Sequence, residues 1–305
     1  MQQFNPQELK KIYTPPTGSH KGQNGRLMII GGSHLFHAAS LWALTIASKI
    51  VDMVFYSSVV ENNQIMHELK REFRNGIIVP RNEIENYITE ADCVLIGPGM
   101  TRSESTTFQD RSLRSLAEID SLDDEGEQSY FLTKYLLEKF PKKKWVIDAG
   151  ALQMMDPEWL KSLNGNALLT PHPVEFDRVK VKVRDESLKK EIEEGTIEQQ
   201  VQAFAKAYDC TILLKGEHDI VCSSEKAVSI SGGNAGMTKG GTGDVLAGLI
   251  GALACNNELF LAATAGAYIN KKAGEALFEK VGYYFNASDL AEEIPVVMKQ
   301  YLLQA

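Results

Sequence analysis

The chain has 305 residues, 44% of them apolar and 24% charged, with a net charge of −8; this is the composition of an ordinary globular chain, long enough to bury an α/β core in one domain or two. An acidic balance with no sustained basic tract excludes a general nucleic-acid or membrane-surface binder, and no apolar run reaches the length of a membrane span. Cys93, Cys210, Cys222 and Cys255 are too widely spaced for a paired zinc or redox motif.

The opening "MQQFNPQELKKIY" lacks the apolar centre of a signal peptide, so a cytoplasmic location with buried, reduced thiols is expected. Short apolar runs then recur at 27–30, 53–56, 76–79, 93–96, 145–147, 211–214 and 219–222. Their near-continuous apolar character suits strands covered on both faces. Helix-compatible stretches such as 37–50, 131–140 and 197–208 lie between them. The alternation predicts a mostly parallel central sheet with helices on both sides. Residues 101–128 interrupt it with an acidic stretch poor in large apolar residues, read as an insertion or mobile surface excursion. Lys142–Lys144 reads as a solvated turn. No fixed-period repeat or Pro/Ser-rich linker divides the chain, so a single domain over 1–305 is expected.

The segment "NAGMTKGGTGDVLAG", Asn234–Gly248, places five glycines ahead of or around an acidic residue that opens an apolar helix-like run. Glycine removes Cβ and permits positive φ, so successive amide N–H groups can converge on one concavity. A helix start adds unpaired N–H groups and partial positive charge, and phosphate is the natural guest. "VLAGLIGALA" is apolar on all sides and predicts a buried, rigidly mounted helix. Asp244 at the mouth of the bend has two readings: an N-cap, or a carboxylate that accepts a proton from a nucleophilic hydroxyl during phosphoryl transfer. No Walker loop is present.

"GGTGDVLAG" resembles the Gly-Thr-Gly-Asp element of the ribokinase-like superfamily. With "HKGQNGRLMIIGGS" (20–33), "IGPGM" (96–100), "VIDAGAL" (146–152), "LLTPHPVEF" (168–176) and "LLKG" (213–216) in order, the chain resembles the ADP- or ATP-dependent NAD(P)H-hydrate dehydratases over nearly its whole length. The resemblance implies a ribokinase-like three-layer α/β/α sandwich. It implies that the S epimer of hydrated NADH or NADPH is phosphorylated on its ring hydroxyl and then loses phosphate, with ADP going to AMP or ATP to ADP. Asp244 would be the catalytic carboxylate; Ala39, Gly97, Gly99, His172 and Asp244 would contact the substrate. Lys215, Gly216, Glu217, His218, Asp219, Gly241, Thr242 and Gly243 would hold the nucleotide. Glu175 is read either as a Mg²⁺ ligand acting through water or as a plain surface carboxylate. A separate NAD(P)H-hydrate epimerase partner and a homotetramer are further implications.

Four positions depart from the family pattern: Gly150 replaces an acidic residue, leaving Asp148 alone at that strand end; Val174 replaces a glycine; and Glu217 and Asp219 replace a small residue and a threonine. The rival reading is a ribokinase-like kinase of a vitamin precursor or sugar alcohol, which would share the bend and stop after phosphorylation. A nucleotide-binding module without catalysis is a third.

Overall fold

The computed structural model describes residues 1–104 and 111–303. Ten strands form one sheet: β1 (Gln2–Gln3), β2 (Arg26–Ile30), β3 (Met53–Ser57), β4 (Ile77–Ile78), β5 (Cys93–Ile96), β6 (Lys144–Ile147), β7 (Ala167–Leu169), β8 (Thr211–Leu214), β9 (Asp219–Cys222) and β10 (Ala227–Ile230), in the order β1-β10-β9-β8-β7-β6-β5-β2-β3-β4. Side chains alternate across a strand, and here both faces are apolar. Leu27 and Ile29 of β2 enter one core and Met28 and Ile30 the other; Leu95 and Ile96 of β5 divide the same way. Helices Ala38–Ala47, Thr242–Asn256, Leu259–Val281 and Ala287–Met298 cover the first face. Helices Ile84–Glu90, Glu125–Lys139, Pro173–Lys180 and Ile197–Ala207 cover the second. The expected three-layer, mostly parallel arrangement is therefore present, and no helix among the described residues is long and apolar enough to cross a membrane.

Three local expectations are corrected. β9, read as another strand of the alternation, runs antiparallel to β8 and to β10. The link Lys215–His218 is too short for the crossover that a parallel neighbour requires. The acidic stretch 101–128 is not simply an excursion. Residues 105–110 lie outside the described residues, but Leu116–Asp120 is helical and buries Leu116 and Ile119, which at i,i+3 share one helix face. The next helix already starts at Glu125. Nor are the lysines of 142–144 all merely solvated. Lys143 Nζ donates to the carbonyls of Thr89 and Ala91, both 2.7 Å, and Lys144 Nζ to those of Ala254 and Asn257 at 3.0 and 2.9 Å. Both thus close helix C-termini, where a cation is favoured.

Because every strand except β9 points the same way, the C-terminal ends of β2, β5, β6, β7, β8 and β10 share one edge. Helices Ala38–Ala47 and Thr242–Asn256 both begin there. They pack closely because Gly248 lets the backbone of Ala43 approach: a Cβ at Gly248 would lie 2.5 Å from the Ala43 carbonyl oxygen. The second helix buries twelve of its fifteen residues, as its all-round apolar sequence requires. The four cysteines are buried and free, as expected, and burial pushes the thiols of Cys93 and Cys222 up to about 12, which removes them from thiolate chemistry.

Candidate active site

The glycine bend removes one of the two readings of Asp244, that of an N-cap. Gly241, not Asp244, is the N-cap of helix Thr242–Asn256; it has φ +94 and makes no side-chain cap. Its missing Cβ is required, since a Cβ there would sit 2.4 Å from the ring of Trp42. Asp244 is therefore the third residue of the helix, not its N-cap, and its half-buried carboxylate accepts from its own backbone amide. The Thr242 amide donates to the Lys239 carbonyl at 3.3 Å, and its hydroxyl lies 2.6 and 2.8 Å from the carbonyls of Met237 and Lys239. Thr242 thus ties the bend together. Val245 is the first residue to donate within the helix, to Gly241 at 3.0 Å, so helix geometry leaves the amide of Gly243 for an outside acceptor, while that of Asp244 faces its own carboxylate.

Facing this helix start is a charged cluster assembled from three strand ends. Lys215 follows β8, Asp148 follows β6, and Glu175 lies in the first turn of the helix after β7. Lys215 Nζ is 3.1 Å from Asp148 Oδ1 and 3.8 Å from Glu175 Oε2. A Cβ added at Gly243 would lie 3.7 Å from that same Nζ, so the ammonium meets the helix N-terminus directly. Burial by itself would lower the Lys215 pKa; the charges of Asp148, Glu175 and Asp244 outweigh it and leave it raised. Asp244 is pushed up to about 7, first by desolvation and then by repulsion from Asp148, with Lys215 pulling the other way. A carboxylate so tuned titrates where a general base works best at neutral pH.

Neighbours hold the cluster in place. Asp148 Oδ1 accepts from Thr170 Oγ1 at 2.7 Å. Glu175 Oε1 accepts from Gln153 Nε2 at 3.1 Å, and its Oε2 from the His172 amide at 2.9 Å. Glu175 is buried, so it is not a plain surface carboxylate. His172 Nδ1 accepts from the Glu175 amide at 3.4 Å, completing a capping box; a neutral ring therefore carries its proton on Nε2. The imidazole remains half exposed at the cavity edge.

That cavity, of about 650 Å³, is bordered by His172, Lys215, Glu217, Thr242, Gly243 and Leu246, among others. Most of the sequence-predicted nucleotide residues converge on it, in different capacities. Asp219 is buried and spent: its Oδ1 accepts from the Gly216 amide at 2.8 Å and lies 3.3 Å from Lys271 Nζ. His218 turns away, its Nδ1 3.0 Å from Ser231 Oγ. Lys271, which sequence reasoning missed, donates to the carbonyls of Gly216 and Glu217 at 3.0 Å and of Gly232 at 3.3 Å. It clamps the β8–β9 turn to the end of β10 from below the cavity. Nothing in the sequence marks a lysine inside a long helix for this. The cavity-lining pair Gly232 and Gly233, at φ +115 and +78, could have been found, since they directly precede the quoted bend.

On the other side of Asp244, Gly99 brings the predicted substrate turns together. A Cβ on it would lie 2.9 Å from both Ala39 Cβ and the Phe36 carbonyl oxygen, and 3.2 Å from Gly32 Cα. Ala43, which backs on Gly248, is one turn beyond Ala39, as Gly248 is one turn beyond Asp244; both helices start at the same edge, which sets Ala39 and Asp244 at matching levels. Gly97 is required for packing, because a Cβ there would fall 1.8 Å from the Asp148 carbonyl oxygen. Gly150 is explained likewise: a side chain would strike the Met100 carbonyl at 2.1 Å, so Asp148 alone carries charge at this strand end. Val174 is exposed in the first turn of its helix and strains nothing.

With this geometry established, comparisons place the chain. The family model described as NAD(P)H-hydrate dehydratase matches residues 27–296. A bifunctional NAD(P)H-hydrate repair enzyme of Methanocaldococcus jannaschii is 34% identical over 298 residues, 96% of this chain and 52% of that one; the chain spans about half the length of this relative and of several others like it. An ADP-dependent (S)-NAD(P)H-hydrate dehydratase of Cenarchaeum symbiosum is 31% identical over 296 residues, 93% of this chain and 91% of that one. In structure, the ADP/ATP-dependent NAD(P)H-hydrate dehydratase of Bacillus subtilis, co-crystallised with ATP/Mg²⁺, matches with a TM-score of 0.72 at 18% identity, covering 98% of each chain, and the fold is ribokinase-like. The cradle, the charged cluster and a family match across nine-tenths of the chain agree: the protein belongs to the NAD(P)H-hydrate dehydratase family.

Proposed function

We propose that the protein dehydrates the S epimer of hydrated NADH or NADPH at the expense of ADP or ATP. The ring hydroxyl attacks the terminal phosphorus of the nucleotide, whose phosphoanhydride bond breaks to release AMP or ADP. The resulting ester then eliminates phosphate, and loss of a proton from the neighbouring ring carbon restores the double bond. Hydroxide is a poor leaving group and phosphate a good one, which is what the nucleotide contributes.

The observation that carries this reading is Asp244, which is not the helix N-cap and is held half buried near Lys215 at a helix start where the Gly243 amide has no partner within the helix. Its carboxylate would orient the hydroxyl and take its proton as the phosphoryl group departs. The amide of Gly243, with Lys215, would stabilise the transferring group. Ala39, Gly99 and His172 would seat the hydrated ring.

Asp148 and Glu175 offer oxygen donors only, which suits a hard divalent cation such as Mg²⁺. The described residues contain no group of three or more His, Cys, Asp or Glu side chains that could enclose a metal, so Asp148 and Glu175 would hold it through water and with the nucleotide's phosphates. Such an ion neutralises phosphate charge when bound. The bifunctional name of the M. jannaschii relative supports partnership with an epimerising activity that supplies the S form.

The test is incubation with hydrated NADH and either ADP or ATP, following recovery of the absorbance of the reduced nicotinamide ring. Recovery with Asp244→Asn at the wild-type rate, or a stable phosphate ester made from a vitamin alcohol without elimination, would overturn the reading. Asp244→Asn is expected to keep nucleotide binding and lose turnover.

A further inference from the structure

A second cavity, of about 880 Å³, opens over the ends of β3 and β4, bordered by Ser58, Asn63, His67, Arg81, Asp120 and Gln128 among others. Its volume is that of a site for a nucleotide-sized ligand. Arg81 is the residue that calls for a ligand there. Its side chain is only 11% exposed, its Nε is buried with no hydrogen-bond partner among the described residues, and its ion pair with Asp120 is long at 3.6 Å. A guanidinium keeps its charge, and one buried with so little compensation is costly unless something else completes it. Of the other acids at this cavity, Glu125 is hydrogen-bonded by the ring and amide of His34 and reaches Arg81 only through its charge, and Glu61 is exposed.

The position of Arg81 identifies the occupant. Along the sheet, the nucleotide cavity lies over β8 to β10, the charged cluster over β6 to β8, and the substrate turns over β5 and β2. Arg81 comes next in that direction, just after β4, three strand spacings or roughly 14 Å beyond β5. It also shares a narrow gap with Gly32, Met100 and Thr101, and Thr101 Oγ1 is itself buried without a partner among the described residues. With the co-substrate on one side of the cluster, the unreacting half of a dinucleotide must leave on the other, across β2 toward β4.

We propose that Arg81 and Asp120 receive the adenosine ribose of the hydrated dinucleotide. Arg81 takes the 2′-phosphate of the NADPH form and Asp120 the free 2′-hydroxyl of the NADH form. This rests on the function proposed above. An acidic residue for the hydroxyl and an adjacent arginine for the phosphate is the chemistry that separates the two cofactors wherever a protein reads that ribose, and the planar fork suits a phosphate better than a lysine would.

The probe is adenosine 2′,5′-bisphosphate, titrated calorimetrically into the wild-type protein with ADP already saturating. It is expected to bind without displacing ADP, and Arg81→Gln to weaken it about tenfold or more, as loss of a charged hydrogen bond implies. In the same variant the kcat/KM ratio of hydrated NADPH to hydrated NADH should fall by about that factor. Arg81→Lys, which keeps the charge and loses the fork, serves if the glutamine variant does not fold and should weaken the bisphosphate severalfold. Competition between bisphosphate and ADP, equal binding by wild type and variant, or an unchanged ratio would each overturn the assignment. A wild-type protein that turns over neither hydrate sinks the proposed function instead, and the titration still decides whether Arg81 holds a phosphate.

Discussion

Asp244→Asn should make the protein more stable while it abolishes turnover. The native carboxylate is raised from its ordinary 3.8 to about 7 by burial and by Asp148, so the folded state holds a proton that the unfolded chain releases. Stability therefore falls as pH rises from the unfolded pKa to the folded one. At about 1.36 kcal/mol per pKa unit, the full penalty over roughly three units is about 4 kcal/mol above pH 7, and about 1.6 kcal/mol at pH 5. Asparagine has nearly the same shape and no charge, so it escapes the penalty. With an unfolding entropy of about 2.1 cal/mol/K per residue, 4 kcal/mol raises Tm by about 6 °C for a chain of this length. The assay is thermal unfolding of wild type and variant without nucleotide, at pH 5 and pH 8, beside the dehydration rate. A variant no more stable than wild type, or a gain equal at both pH values, would refute the reasoning, because the carboxylate would then not be desolvated beside another acid. A gain in stability with loss of activity is the signature of a site whose strain is functional.

If Asp244 is the base proposed above, turnover of the wild type should rise with pH through about 7, where its carboxyl ionises; in Asp148→Asn the acidic limb should move to lower pH, read from kcat against pH. Lys271→Met removes three bonds to carbonyls and leaves Asp219 buried without its cation, which should cost about 3–5 kcal/mol in denaturant unfolding and raise the KM for ADP. Gly241→Ala forces a Cβ against Trp42 at a positive φ and should destabilise by roughly 2–3 kcal/mol. Gly240→Ala, whose Cβ would meet open space, should change stability by less than about 1 kcal/mol in the same melts.

The layers, the strands and the glycine cradle are legible in the chain because they rest on local rules. Two-sided apolar runs make buried parallel strands, and "GGTGD" carries both the permissive backbone and the helix start. Short or polar strands are not legible: β1 is two glutamines and β10 is half exposed, so neither has the pattern that burial imposes.

What the sequence by itself determined is which residue types meet at the sheet's C-terminal edge, since chain order and the direction of parallel strands bring Asp148, His172, Lys215 and Asp244 there. Only the tertiary structure decided their duties. It made Gly241 the cap and so released Asp244, spent Asp219 on Lys271, turned Glu175 back onto its own helix, and left Arg81 buried with half a partner. The physical reason is that a side chain's role depends on which hydrogen bonds and charges surround it and on how much water it has lost, and these are set by contacts between segments far apart in the chain.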